Sequence, residues 1–103
     1  MAHFFFKLLP PRPSFPQDMT EAERELMQRH ARYWQTMLDQ GSALVFGPVF
    51  DPRGSYGMGV VDLADEAAAR SFAAGDPAIK ADCGFTYDIC PMAAVTREPI
   101  GET

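Results

Sequence analysis

Cysteine is scarce in this chain: of 103 residues only Cys83 and Cys90 carry a thiol, seven positions apart, with no C-x-x-C pair and no histidine at metal-ligand spacing. Neither a disulfide framework nor a metal site is expected, and both thiols are read as reduced, as is usual in the cytoplasm. Cys90, inside an expected strand, reads as a small core residue. Cys83 has only Lys80 near it in sequence, too little positive charge to argue for a nucleophilic thiolate. Positive charge is short as well: 9 Lys and Arg stand against 14 Asp and Glu, a net charge of -5. That deficit argues against nucleic acid as a partner, because affinity for a phosphate backbone rests on clustered cations. No stretch approaches the roughly 20 apolar residues that span a bilayer, so no membrane partner is expected. The apolar opening Phe4-Phe5-Phe6-Lys7-Leu8-Leu9 is too short for a secretory segment and runs into Pro10-Pro11 instead of a small-residue cleavage site.

Cofactor signatures are missing too. Gly57-Met58-Gly59 lacks the third glycine of a dinucleotide loop and sits before a strand, not a helix. Residues Arg53 to Val60 follow the RNA-recognition pattern only faintly, with Ser55, Gly57 and Gly59 where stacking aromatics belong. The reading is of a cofactor-free protein.

What remains is an ordinary globular composition, 47% hydrophobic and 22% charged,. Residues 1–103 are expected to form one domain, with its core over about 3–95 and a loose polar tail at 96–103. A chain of this size builds a modest core, which oligomer formation would supplement.

Phe4 to Leu9 reads as a central strand, apolar on both faces apart from Lys7. Four prolines between residues 10 and 18 stop it and hold an extended loop suited to a pocket wall,. Thr20 and Glu23 form a capping box that opens a helix ending at Gly41. Ala43 to Phe50, interrupted by Gly47-Pro48, and Tyr56 to Leu63 form a hairpin across Asp51-Pro52-Arg53-Gly54. Gly57 and Gly59 bare one face of the second of these strands, so that something can approach its backbone. Asp65 caps an Ala-rich helix from Glu66 to Ala74; Asp76-Pro77 opens a short helical turn. A last strand starts at Phe85 and reaches Ile89, with an extension toward Val95. The order β-α-β-β-α-β predicts an α+β, ferredoxin-like split βαβ: one antiparallel sheet with two helices on one face. Apolar residues on both sides of the strands predict that the other face is covered by a second copy, making a homodimer.

One residue breaks the pattern of the first helix. Counted at 100° per residue, Met19, Ala22, Leu26, Met27, Tyr33, Trp34, Met37 and Leu38 share an arc whose middle is His30. An inward imidazole is either a core group satisfied by one hydrogen bond or a proton-transfer group at a pocket. A carboxylate within reach would fix its tautomer and favour its charged form, while burial would oppose the charge. From the loop, Arg12 could pair with an anionic substrate; Trp34 and Tyr56 could stack on a flat one.

Phe15, Met19-Thr20, Glu23, Met27, His30, Tyr33-Trp34, Gly41, Gly47-Pro48 and Gly75-Asp76-Pro77 together resemble the YCII-related (YciI-like) domain over residues 3 to about 93. The resemblance implies a ferredoxin-like, usually dimeric protein whose active-site pair falls on His30 and Asp76. Lyase-like or dehalogenating activity is attributed to few members. The chain departs from the family where Val60 follows Gly59, a place where many members carry Ser. The resulting expectation is a cytoplasmic homodimer acting on a small molecule, a lyase or isomerase for a carbonyl or phenolic compound. In it His30 is the general acid/base and Asp76 its orienter. Two alternatives stand beside it: a non-catalytic ligand- or partner-binding module of the same fold, and an Asp76 that serves only to cap the Pro77 turn.

Overall fold

The first strand, β1 (Ala2–Leu9), alternates as a half-buried strand should: Phe4, Phe6 and Leu8 are buried and their neighbours only partly so,. The structure, a computed structural model, describes residues 2–97, and the part of the expected tail from residue 98 onward lies outside them. β1 is central. It pairs on one side with β3 (Tyr56–Leu63) and on the other with β4 (Thr86–Met92), while β2 (Ala43–Val49) adds to the far edge of β3. All three pairings are antiparallel, in the order β2-β3-β1-β4. Both strand prolines, Pro48 and Pro91, fall on the two edge strands, where a missing amide donor is tolerated best,. The strand runs through Gly47-Pro48 without a break; the irregularity lies earlier, between Ala43 and Val45.

The long helix α1 (Glu21–Asp39) begins with the full capping box, Thr20 accepting from the Glu23 amide and Glu23 from the Thr20 amide,. Helix α2 (Glu66–Gly75) is capped by Asp65, and the four-residue α3 (Pro77–Lys80) by Asp76. Both long helices cover the Phe4-Phe6-Leu8 face. Phe6 meets Trp34 of α1 and Phe72 of α2 edge-on, with ring centroids 5.4 and 5.6 Å away,. This is an α+β fold with a four-stranded antiparallel sheet and three helices, compatible with the ferredoxin-like arrangement.

The core divides in two along the helix-covered face. One cluster gathers around Phe6, Trp34, Val61 and Phe72; the other joins Leu8, Phe15, Leu26, Ala78 and Phe85 near the proline-rich loop. The opposite face of the sheet carries no helix, and there Val45 is 47% and Met92 40% exposed. Cys90 corrects the expectation of a core residue: register places it opposite Phe5 on that uncovered face, and it is exposed. Strand alternation alone does not say which of two apolar faces is covered. Among the described residues no helix is long and apolar enough to cross a membrane, and no cluster of His, Cys, Asp and Glu could hold a metal ion.

Candidate functional site

Asp76 occupies the break between two helices. α2 stops at Gly75, the chain turns extended at Asp76 (φ -65°, ψ 130°), and α3 starts at Pro77. The carboxylate performs the expected cap, its Oδ1 accepting from the Ala78 amide at 2.9 Å,. It does more than that. Asp76 has no exposed surface, and its oxygens are filled by three donors. His30 Nδ1 lies 3.1 Å from Oδ1 and 2.8 Å from Oδ2, and the Tyr87 hydroxyl donates to Oδ2 at 2.5 Å. Tyr87 in turn accepts from Trp34 Nε1 at 2.8 Å. A chain of bonds thus runs from Trp34 through Tyr87 and Asp76 to His30, joining α1, β4 and the α2–α3 junction.

The protonation states follow from this geometry. Burial pushes the Asp76 carboxyl up, but the hydrogen bond and charge of His30, with Tyr87 and the Ala78 amide, outweigh it and hold the group below its ordinary value,. The Tyr87 hydroxyl is raised far above its ordinary value by burial and then by the charge and hydrogen bond of Asp76, so it stays a donor. A carboxylate only accepts, and the His30 proton facing it is therefore on Nδ1. Nε2 is left for the other side of the ring.

His30 is among the residues that line a cavity of about 350 Å³. Pro10, Phe15, Pro16 and Met19 form the loop wall, Met27, His30 and Trp34 the helix wall, and Phe46 to Pro48 with Ser55 to Met58 the sheet wall. Phe85 and Tyr87 close it from β4 and the residue before it. The bare strand face predicted at Gly57 and Gly59 has two uses. Gly57 borders the cavity, whereas a Cβ on Gly59 would lie 2.4 Å from the Trp34 ring, so it is Trp34 that approaches that backbone,.

The structure brings His30, Asp76 and Trp34 together but not Arg12. Its guanidinium donates to both Asp18 oxygens at 3.0 Å and to both Glu23 oxygens at 2.7 Å, outside the cavity. It fastens the loop to the start of α1, and most of its donors are spent on Asp18 and Glu23. Trp34 borders the cavity, with its indole N–H already committed to Tyr87. Tyr56 lines the cavity too, and Lys7 Nζ stands 4.5 Å from its ring centroid, engaging the ring that was expected to stack. Tyr87 was missed. The β1–β4 register sets Tyr87 opposite Leu8 on the helix-covered face,. A tyrosine there still reads as core until its partner is known.

No curated protein sequence matches the chain. The model of the YCII-related domain matches residues 5–93, a span that contains the helix histidine, the Asp-Pro turn and the whole cavity wall, and the chain belongs to that family.

Proposed function

We propose that the domain binds a small, mostly apolar molecule in this cavity and that His30 moves a proton to or from it through Nε2, as a cofactor-free lyase or isomerase for a carbonyl or phenolic compound. The observation that carries this reading is the fully buried Asp76 carboxylate bonded to Nδ1 of a histidine whose ring borders an apolar cavity. In the proposed reaction Nε2 accepts a proton from a carbon next to a carbonyl, or from a hydroxyl. The electron pair left behind then expels a leaving group or shifts a double bond, and Nε2–H returns the proton. Asp76 keeps Nδ1 protonated throughout and stabilises the charged ring, while Tyr87 and Trp34 hold Asp76 in place. General acid/base assistance of this kind contributes about 10²- to 10⁴-fold.

The alternative, a non-catalytic ligand-binding module, is favoured by one feature: the indole and phenol beside His30 spend their polar atoms on each other and on Asp76, not on a ligand. Replacing His30 by Gln separates the two readings. Under the catalytic reading the melting transition moves by no more than about 1 kcal/mol equivalent while turnover in a screen of carbonyl and phenolic compounds falls by about 10²-fold. A destabilised variant with unchanged ligand affinity would leave the binding module standing. The assembly we propose is a homodimer through the uncovered sheet face, supported by the exposure of Val45 and Met92,. A well-folded species of 11.4 kDa in sedimentation equilibrium would defeat it. The two free, exposed thiols support a reducing compartment such as the cytoplasm,.

A further inference from the structure

We infer that the ligand of this cavity is electrically neutral, with an apolar ring body and one hydroxyl or enol that meets His30 Nε2, and that anionic ligands are rejected. The inference rests on the reading of the cavity as a ligand site and adds a substrate class to it.

Charge accounting carries the argument. Among the described residues no Lys, Arg, Asp or Glu lines the cavity. Cations close in sequence or space to lining residues already have partners: Arg12 has Asp18 and Glu23, Arg53 has Asp51, and Lys7 sits over the ring of Tyr56. An imidazolium at position 30 would not serve an anion well, because the buried Asp76 carboxylate already balances it at 2.8 Å. A ligand carboxylate or phosphate would leave the cavity region with one uncompensated negative charge in an apolar setting, inside a chain whose net charge is already -5,. Cations fare no better. Each Asp76 oxygen is occupied, Oδ1 by Ala78 and His30, Oδ2 by Tyr87 and His30, and Asp76 itself does not line the cavity whereas His30 does.

The walls select the rest of the molecule. Phe15, Phe46 and Phe85 offer ring edges and faces, and Met19 and Met27 offer adaptable thioethers, so a ring is held without polar contacts,. At about 350 Å³ the cavity is near the lower end of ordinary small-molecule sites, about 300–1,000 Å³, which suits a single ring with a short side chain,.

Calorimetric titration of the intact protein near neutral pH with para-propylphenol, para-propylbenzoate and para-propylanisole tests this, since the three share a body and differ in the group presented to Nε2. The phenol should bind about tenfold tighter than its methyl ether, which has no proton to donate. The benzoate should bind weaker than the phenol by roughly 10²-fold, the effect of burying an unpaired carboxylate. In a His30→Phe variant the advantage of the phenol over the ether should disappear; the phenol-to-benzoate ratio in the unaltered protein decides the charge question without any variant. Benzoate binding as tightly as the phenol would overturn the neutral class and leave the His30 site standing. Equal binding of phenol and ether would instead show that His30 does not meet the ligand, overturning the proton-transfer reading. If none of the three bound at millimolar concentration, the cavity would not be a ligand site and both would fall.

Discussion

Two carboxylate clusters flank the proline-rich loop, and their bonds are nearly the same length. Around Asp76 the donor distances are 2.5–3.1 Å; around Arg12 the guanidinium reaches Glu23 and Asp18 at 2.7–3.0 Å. Their surroundings differ, though not at every partner: the side chains of Glu23, 14% exposed, and His30, 16% exposed, are similarly shielded. Asp76 has no exposed surface, whereas the Arg12 and Asp18 side chains are 32% and 49% exposed. Charge shifts invert the intuition that follows. Glu23 is pulled to about 2 by Arg12 and then by the Thr20 amide, yet the Arg12 and Asp18 members of that cluster compete with water,. The buried cluster cannot exchange its partners for solvent, so the loss of any one leaves polar atoms stranded. Bond length does not rank these clusters; access to water does.

The sharpest way to break this contrast is to remove the buried carboxylate. Asp76→Ala strands the Nδ1–H of His30, the Tyr87 hydroxyl and the Ala78 amide together, and we expect a loss of about 3–5 kcal/mol in urea unfolding. Asp76→Asn keeps an oxygen for the cap and should cost distinctly less. A loss from Asp76→Ala no larger than that from an Arg12 substitution would end the comparison.

Tyr87→Phe comes next in size. It removes one donor to the carboxylate and deprives the buried Trp34 N–H of its acceptor, for an expected loss of about 1–3 kcal/mol,. The indole emission of Trp34, the single tryptophan, should change with it. A variant as stable as the parent would mean that water takes the place of the hydroxyl, and that the niche is wetter than its burial implies.

That tyrosine also shows where sequence reasoning stopped. The element order, the three helix caps and the inward arc of α1 were legible because each rests on local periodicity or on a motif a few residues long: Thr20 with Glu23, Asp65 before the Ala-rich helix, Asp76 before Pro77. The pairing of His30 with Asp76 was reached through family resemblance. Tyr87 and the clasp on Arg12 depend on contacts between elements far apart in the chain, and no local pattern encodes them. Arg12 is the instructive case. A lone arginine on a proline-rich loop looks free for an anion until the cap residue Glu23, already used by Thr20, turns out to face it as well.

Acid unfolding sharpens the comparison through proton linkage. Asp76 has a folded value below its unfolded value near 3.8, so its contribution is complete above about pH 4 and is lost as pH falls through the folded value,. The part of the stability gap between the parent and Asp76→Asn that comes from the Asp76 carboxyl should therefore be complete above about pH 4 and narrow below it,. Tyr87→Phe, lacking one bond that lowers the carboxyl, should begin to unfold at a higher pH than the parent. A gap that narrows instead between pH 8 and 6 would point to a group other than Asp76.

The smallest effect is expected at Arg12, where the contrast is most easily misjudged. Arg12→Gln retains one amide donor and gives up the forked contacts with Glu23 and Asp18, but those carboxylates recover hydration at the loop surface, and Glu23 keeps the Thr20 amide. The melting temperature should drop by about 3 °C or less at low salt. Adding roughly 0.5 M NaCl should shrink even that difference, because screening weakens the exposed pair while leaving the buried one largely intact. The informative readout is ligand affinity at the two salt concentrations. Pro10, Phe15 and Pro16 form the loop wall of the cavity, and Phe15 stays anchored by its edge-on contact with Phe85 at 5.4 Å. If that apolar anchor holds the wall, Arg12→Gln should leave the affinity for para-propylphenol within about twofold of the parent at both salt levels. A large, salt-dependent loss would show that the exposed clasp, not the aromatic contact, keeps the cavity in shape, and that burial alone does not divide the two clusters.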